Sequence, residues 1–298
     1  MHPDRPLMEQ PLAIRNHRPS SLAFLRFTPR SGLASKLQDD FLLVAANDLR
    51  FAGTVYEDYE AIRLSWIRTQ PWGKGADWWF EVPIMSRNGG VLDGLIDLFH
   101  NSFLGNRHQE RDAAPKNRHV MRLPGSNFGP GLGVGDISFG ASRKLGPNTV
   151  GRAAMKIPTG NASKLLGSGG FDFSIGIDHR WQLNSQLAFH FMGGLIAQGR
   201  TTHLDSARGL VEQAAISFIY TRNSRDTYLM QWNSEASPTV TGFPNIDATH
   251  RIFSFGYRRR LSDGLALTFS ISEDRDFGPT NFNGGAQVGP DLTFAIQL

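Results

Sequence analysis

The 298-residue sequence contains no cysteine, which excludes a disulfide framework and thiolate chemistry at a metal or redox centre. It also has no apolar run near the roughly 18 residues of a transmembrane helix; Phe41 to Ala46, FLLVAA, is among the longest. Helical membrane spans are therefore excluded. A transmembrane β-barrel is not, because each of its strands needs only about 9–11 residues of alternating polarity.

The N-terminus, MHPDRPLMEQPLAIRN, shows no apolar leader segment. A barrel protein of the bacterial outer membrane needs a leader for export. Either the chain is trimmed, or its start is misplaced, or the barrel interpretation is wrong.

Charge points to no particular partner. Charged residues make up 19% of the chain, and the net charge of +4 is spread along it. The densest basic stretch, Arg107 to Arg122, also carries Glu110 and Asp112, which favours a solvated loop over a phosphate-binding patch. Lipopolysaccharide phosphates would be the natural partner of such a patch. Nothing matches a nucleic-acid-binding motif, so no nucleic-acid partner is expected.

Apolar and polar residues alternate over much of the chain. Between Phe171 and Leu195 two alternating runs flank the short polar break QLNS, and this pattern predicts a β-hairpin with one apolar face. Similar runs predict twelve strands, at about 40–47, 54–67, 77–86, 131–145, 148–158, 170–181, 185–198, 210–222, 227–235, 248–260, 264–273 and 288–298.

The connections after residue 131 alternate strictly between short and long. Four short turns, GPN, QLNS, NSRD and SDG, lie between loops of roughly ten residues or more. Outer-membrane barrels have short periplasmic turns and long extracellular loops, whereas a soluble sandwich has no reason to separate loop lengths in this way. The sequence therefore predicts an all-β, antiparallel, up-and-down transmembrane barrel of about 12 strands, with 14 as the alternative.

The domain division follows from this count. Residues 39–298 form the predicted barrel, with 87–130 as a long loop, and residues 1–38 form a segment below the barrel or folded into its lumen. The last strand, VGPDLTFAIQL, resembles the C-terminal strand that the outer-membrane assembly machinery recognises, so that machinery is an expected partner along with outer-membrane lipid and lipopolysaccharide. No cofactor is expected.

Polar side chains fall on the face opposite the aliphatic rows, and we expect them to line the lumen. They are Lys156, Asp172, Asp178, His190 and Arg258. Mixed charge of this kind would set the selectivity of a channel.

One segment has helical spacing. GVLDGLIDLFHNSFLG, residues 90–105, places Leu92, Leu95, Ile96, Phe99 and Phe103 on one face. We expect an amphipathic helix that constricts or covers the extracellular opening. Its polar face carries Asp93, Asp97 and His100, which are candidates for gate residues, for a cation site or for acid–base chemistry; a wet polar face is the alternative.

An enzyme is a further alternative. A barrel lipase or deacylase needs a Ser–His pair with an orienting group, and His190, or His100 with Ser102, could supply one. No spacing singles out a pair.

Four motifs carry a resemblance: PLAIRNHRP, GGVLDGLIDLFHNSF, GLGVGDISFG and MKIPTG. Together they resemble a family of uncharacterised proteobacterial proteins with a domain of unknown function, and the resemblance extends from Pro11 to Leu298. It implies an outer-membrane β-barrel and no particular activity. The pair GVGD and KIPTG is also similar to outer-membrane transporters of aromatic-compound degradation. The expected function is a restricted channel or transporter for a small solute, with a lipid hydrolase or a closed structural or adhesive barrel as alternatives.

Overall fold

The computed structural model describes residues 7–16, 18–94, 98, 102, 115–201, 203–274, 287–288 and 293–297. Helices in this part of the chain are short: α1 (Pro19–Leu22), α2 (Pro244–Asp247) and two 3-10 turns, Leu7–Glu9 and Ala162–Lys164. Within the described residues no helix has the length and apolar character to cross a membrane.

Sixteen strands lie in the described residues, and paired strands run antiparallel. They are β1 Gln38–Ala52, β2 Val55–Pro71, β3 Ala76–Asn88, β4 Val120–Leu123, β5 Ser126–Asn127, β6 Gly131–Val134, β7 Ile137–Lys144, β8 Thr149–Ile157, β9 Asp172–Gln182, β10 Leu187–Ala197, β11 Leu210–Thr221, β12 Asp226–Glu235, β13 His250–Ser262, β14 Leu265–Asp274, β15 Gln287–Val288 and β16 Thr293–Gln297.

Twelve of these strands close into a ring, in the order β1, β2, β3, β7 to β14 and β16. The ring closes because β16 pairs with β14 on one side and with β1 on the other, and β1 pairs with β2. The prediction of an antiparallel barrel is confirmed, and the ring has the predicted twelve strands. The four short strands lengthen the wall at one end: β6 continues β7 along β3, β4 and β5 extend β2, and β15 extends β1.

The two faces of the wall differ in polarity as the alternation requires. On β9, Phe173, Ile175 and Ile177 face outward and are exposed, whereas the intervening Ser174 and Asp178 face inward and are buried. Aliphatic and aromatic side chains continue this exposed outer belt around the ring, among them Leu43, Ile62, Ile84, Leu195, Phe218, Phe255 and Phe269. An outer face of this kind is suited to lipid contact.

Two strand predictions have the wrong bounds. The hairpin of β1 and β2 runs about five residues past the predicted end of its first strand, into a tip whose residues 46–50 and 57–61 are all buried. Burial on both faces removes the need for alternation, so the sequence pattern ends before the strands do.

The run predicted at 131–145 is interrupted between β6 and β7. Its partner strand β3 contains Pro83 opposite the break, and proline has no N–H to donate to a ladder. Gly135 N instead donates to Pro83 O at 2.8 Å. The predicted helix at 90–105 lies largely outside the described residues.

Candidate functional site in the barrel lumen

The inside of the ring is filled by the described residues of the range 8–34, namely 8–16 and 18–34, here called the N-terminal segment. The side chains described for it are mostly buried, from Met8 through Leu12 and Phe24 to Ala34. They contact inward-facing side chains of strands on all sides of the ring. The wall therefore encloses a polypeptide core, and its polar inner face does not simply line open water.

Two glutamines of the wall hold the segment by its main chain. Gln231 on β12 accepts from Leu12 N through Oε1 and donates from Nε2 to Leu12 O, both at 3.0 Å. Gln213 on β11 does the same for Phe27, at 3.1 and 2.7 Å. Each primary amide reproduces the donor and acceptor pair that a neighbouring strand would offer. We call these the Leu12 clamp and the Phe27 clamp.

Glycines in the wall let both clamped residues approach closely. A Cβ on Gly256 would lie 2.5 Å from Leu12 Cδ2, and one on Gly176 would lie 3.0 Å from Phe27 Cε2. The guanidinium carbon of Arg152 lies 4.6 Å from the centre of the Phe27 ring, a cation–π contact in a buried setting.

Buried ion pairs supply the charge balance of the site. Arg26 of the segment meets Glu235 of the wall at 2.6 Å. Arg15 lies 3.4 Å from Glu81, which Arg63 also contacts at 2.7 Å. Because all of these groups are buried, removing one partner would leave the other charge desolvated without compensation.

The predicted lumen residues are all buried and inward-facing. Arg152 and His190 both contact Asp178 at 3.2 Å, and Asp178 also accepts from Arg30 N at 3.1 Å. Arg258 donates to the carbonyls of Gln10 and Pro11.

Lys156 forms the centre of a further cluster. Its Nζ donates to Asp136 at 2.5 Å, to Ser168 Oγ at 2.6 Å and to Gly170 O at 2.9 Å, and lies 3.4 Å from Asp172. Asp172 in turn accepts from Leu25 N at 2.8 Å. The cluster therefore joins the loop after β8 to the N-terminal segment.

The end of the barrel with the long loops is closed by an apolar cap. Ala23 and Phe24, at the turn of the N-terminal segment, pack in one cluster with the β1–β2 tip and with four loop regions; its other members are Ala52, Val55, Met121, Leu123, Phe128, Leu165, Leu204 and Ile246. All are nearly inaccessible to solvent. Loops and segment thus share one small core at this end.

The predicted gate is described only at Asp93. Its carboxylate accepts from Asn47 Nδ2 at 2.8 Å and from Asn117 N at 2.6 Å, which ties the loop to β1. Asp97 and His100 lie outside the described residues. Among the residues that are described, no cluster of His, Asp or Glu could hold a metal ion.

A cavity of about 100 Å³ lies between the segment and the wall at the end with the short turns. Residues of both charges line it together with an aromatic ring, among them Arg30, Arg258, Asp39, Asp40 and Trp79. It gives a small molecule some room inside the described lumen.

Sequence reasoning missed Gln231 and Glu235 of the wall, and Arg15, Arg26 and Arg30 of the segment, which contact the wall. One available signal was the alternation of basic and apolar residues in LAIRNHRPSSLAFLRF, residues 12–27. The inward parity of Gln231 and Glu235 on β12 was another.

Residues 45–277 match the model of a family described as "Protein of unknown function (DUF3187)". No curated protein matches the sequence. The solved COG4313 outer membrane channel from Pseudomonas putida F1 is similar in structure, with a TM-score of 0.56 and 12% identity over 91% of this chain and 98% of that chain. This likeness shows a shared outer-membrane barrel fold.

Two further structures are similar at lower scores. The NanC porin has a TM-score of 0.48 and 11% identity, over 87% of this chain and 98% of its own. The P. putida toluene transporter TodX has a TM-score of 0.46 and 11% identity, over 95% and 92%.

Proposed function

The chain belongs to the DUF3187 family of proteins of unknown function, and we propose that it is an outer-membrane channel for a small solute, closed at rest by its own N-terminal segment. The observation that carries this proposal is the way in which the segment is held. Within the described residues no main-chain to main-chain hydrogen bond joins residues 8–34 to a barrel strand; the bonds run through side chains such as Gln213 and Gln231. The segment can therefore leave without unzipping the wall.

The barrel itself supports a location in the outer membrane. Its strands form a closed ring without free edges, as spanning a bilayer requires, and its outer face is apolar. Because outer-membrane barrels have short turns on the periplasmic side and long loops on the extracellular side, the short turns face the periplasm and the capped end faces the cell exterior. Phospholipid, lipopolysaccharide and, through β16, the barrel assembly machinery are the proposed partners.

The proposed route passes through the cavity at the periplasmic end. Displacement of the segment would join this cavity to the space now filled by Leu12 and Phe27. The solute would meet arginine, carboxylate and indole groups in turn, which suits a small molecule with both polar and apolar parts.

A closed structural barrel is the second candidate, and the apolar cap favours it. Both the segment and the loops close the same end, and a barrel that never opens would look the same. A lipid hydrolase has less support. In the described residues the His190 ring contacts the Asp178 carboxylate and the Arg30 main-chain carbonyl, and no serine hydroxyl is among its partners.

A reversible crosslink between segment and wall tests the proposal. A Cβ on Gly256 would lie 3.4 Å from Leu12 Cγ, the position that a cysteine sulfur takes at residue 12, close to the geometry of a disulfide. Since the chain has no cysteine, Leu12→Cys with Gly256→Cys can form only this bridge. We expect no current from the oxidised protein in a planar bilayer, discrete openings after reduction, and frequent openings when residues 8–34 are deleted.

The controls separate gating from misfolding. The single variant Leu12→Cys should conduct equally under oxidising and reducing conditions, and heat-shifted gel mobility should show that every variant is folded. If the oxidised protein conducts as well as the reduced one, the segment is not the gate. If the folded deletion variant is silent, the closed structural barrel is the better reading.

A further inference from the structure

Two neighbouring periplasmic turns form a basic groove on the outside of the barrel. The turn between β2 and β3 contains Gly73, Lys74 and Gly75, and the next turn along the ring joins β7 to β8. The two turns touch, since Lys144 N donates to Gly75 O at 2.9 Å. Positive φ at both Gly73 and Gly75 shapes the tight first turn.

Three cations converge on this groove. Lys74, Arg143 and Lys144 line it together with Gly75, Leu145, Gly146 and Pro147. All three basic side chains are exposed, and within the described chain none of them has a carboxylate partner. The acidic residue nearest in sequence, Asp77, is buried and faces inward, where it accepts from Ala34 N. The groove therefore has a local positive charge that the protein leaves unbalanced.

Apolar groups flank the cations on the membrane side. Trp72 is 67% exposed and Leu145 is 63% exposed, so both project from the turns. Just above, on the outer face of β2, β3 and β7, the rings of Trp66, Trp78, Phe80 and Phe139 form a contiguous aromatic patch with centroid separations of 5.1–6.4 Å. Indole rings next to cations are typical of the level of lipid headgroups.

We propose that this pair of turns binds the phosphate of an anionic phospholipid in the periplasmic leaflet of the membrane. Lys74, Arg143 and Lys144 contact the headgroup, and Trp72 and Leu145 pack against the upper acyl chains. The inference rests on the membrane location within the proposed function, but it does not depend on channel activity.

Another turn provides a contrast within the same rim. The turn between β11 and β12 carries Arg222 and Arg225, but Asp226 lies beside them and forms an ion pair with Arg259 at 3.7 Å. Tyr257 also donates to Asp226 there, at 2.6 Å. This second turn is also basic, but Asp226 supplies a carboxylate that the groove lacks, so the turn serves as the control for general attraction to a basic rim.

The test measures lipid retention by the full chain. The protein is folded into vesicles that contain equal amounts of phosphatidylglycerol and phosphatidylcholine, released in mild detergent, and analysed by native mass spectrometry. Because basic residues near an anionic lipid surface favour anionic headgroups, we expect wild type to retain phosphatidylglycerol about tenfold over phosphatidylcholine. We expect the variant K74Q/R143Q/K144Q to fall to about twofold, and R222Q/R225Q to stay near wild type.

Each outcome decides between site and background. An unchanged preference in the triple variant would overturn the proposal, and so would an equal loss in R222Q/R225Q, since that would indicate general attraction to the rim. Flotation of the vesicles and heat-shifted mobility are read separately. Failure of wild type to insert counts against the membrane location, whereas insertion without lipid preference counts against this site alone.

Discussion

Neighbouring strands of the wall are joined by main-chain ladders, whereas the N-terminal segment inside is joined to the wall through side chains. β10 and β11 alone pair over eleven residue positions. The segment contributes more than twenty residues to the lumen and is fastened by individual wall side chains, among them the Leu12 and Phe27 clamps, the partners of Arg15 and Arg26, and the carboxylates that accept from Leu25 N and Arg30 N.

In the proposed channel, this difference separates the barrel wall, which stays in place, from the N-terminal segment, which can move. Breaking a ladder exposes many main-chain groups at once, which a membrane forbids. Releasing a clamp exposes two groups that water in the lumen can satisfy. In the proposed channel the wall is therefore rigid and the N-terminal segment is removable, and the points where the two are joined are where this can be tested.

The largest effect is expected from the Arg26–Glu235 pair. Arg26→Met leaves Glu235 buried without its partner, at a cost of about 3–5 kcal/mol to the docked segment. We expect much faster cleavage of the segment by trypsin in the folded, membrane-inserted protein, and more frequent channel openings, with unchanged heat-shifted mobility of the barrel.

The double variant Arg26→Met with Glu235→Leu is the matched control. It removes both charges, and replacing a whole buried pair with apolar groups is often close to neutral. Protection from trypsin should return towards wild type. Equal cleavage of wild type and Arg26→Met would mean that this pair does not hold the segment.

The two clamps should give the next largest effect. Gln231→Ala leaves Leu12 N and O without partners, which costs about 1–3 kcal/mol per buried group. Hydrogen exchange should rise in peptides that cover residues 10–16, and Gln213→Ala should do the same for residues 25–31.

Combining the two clamp variants tests whether the two parts of the segment leave together. Additive effects on exchange would show that the Leu12 and Phe27 parts of the segment leave independently. If each single substitution raises exchange in both parts, and the double variant raises it no further, the segment leaves as one body. If exchange is unchanged at both places, the two clamps do not hold the segment in the lumen.

Close packing at glycine gives a smaller effect. Gly256→Ala places a methyl 2.5 Å from Leu12 Cδ2, and overpacking of this kind costs about 1–3 kcal/mol. We expect displacement of Leu12, seen as faster exchange there, with the Phe27 region unaffected. Gly209→Ala is the control, because an added Cβ at Gly209 meets nothing within 4 Å.

The barrel wall and the N-terminal segment also differ in how far the sequence predicts their structure. Alternation and turn chemistry are local, so the hairpin from Phe173 to Ala197 and its ten neighbours in the ring could be read directly. The break at Gly135 depends on Pro83 in another strand, and the buried tip of β1 and β2 depends on loops far away in sequence. Neither leaves a periodic signal.

The site depends on pairings that a single sequence does not encode locally. Parity places Lys156, Asp178 and Arg258 on the inner face, but nothing in the alternation says that the inner face meets Arg30 or the Gln10 carbonyl. A polar residue at inward parity is compatible with water or with protein. The choice is made by contacts between residues more than a hundred positions apart.

The smallest predicted effect concerns the loop that carries Asp93. Asp93→Asn keeps one acceptor oxygen, so only one of the bonds to Asn47 Nδ2 and Asn117 N is lost, at about 0.5–1.5 kcal/mol. We expect faster exchange near Asn117 and little change in the segment or in conductance, because the fastening points of the segment lie elsewhere. Asn47→Ala removes the opposite partner, and a double variant no worse than either single one would show that the two side chains act through one bond. A large rise in channel openings from Asp93→Asn would place the gate in this loop. The moving part would then belong to the barrel and its loops, and not to the N-terminal segment.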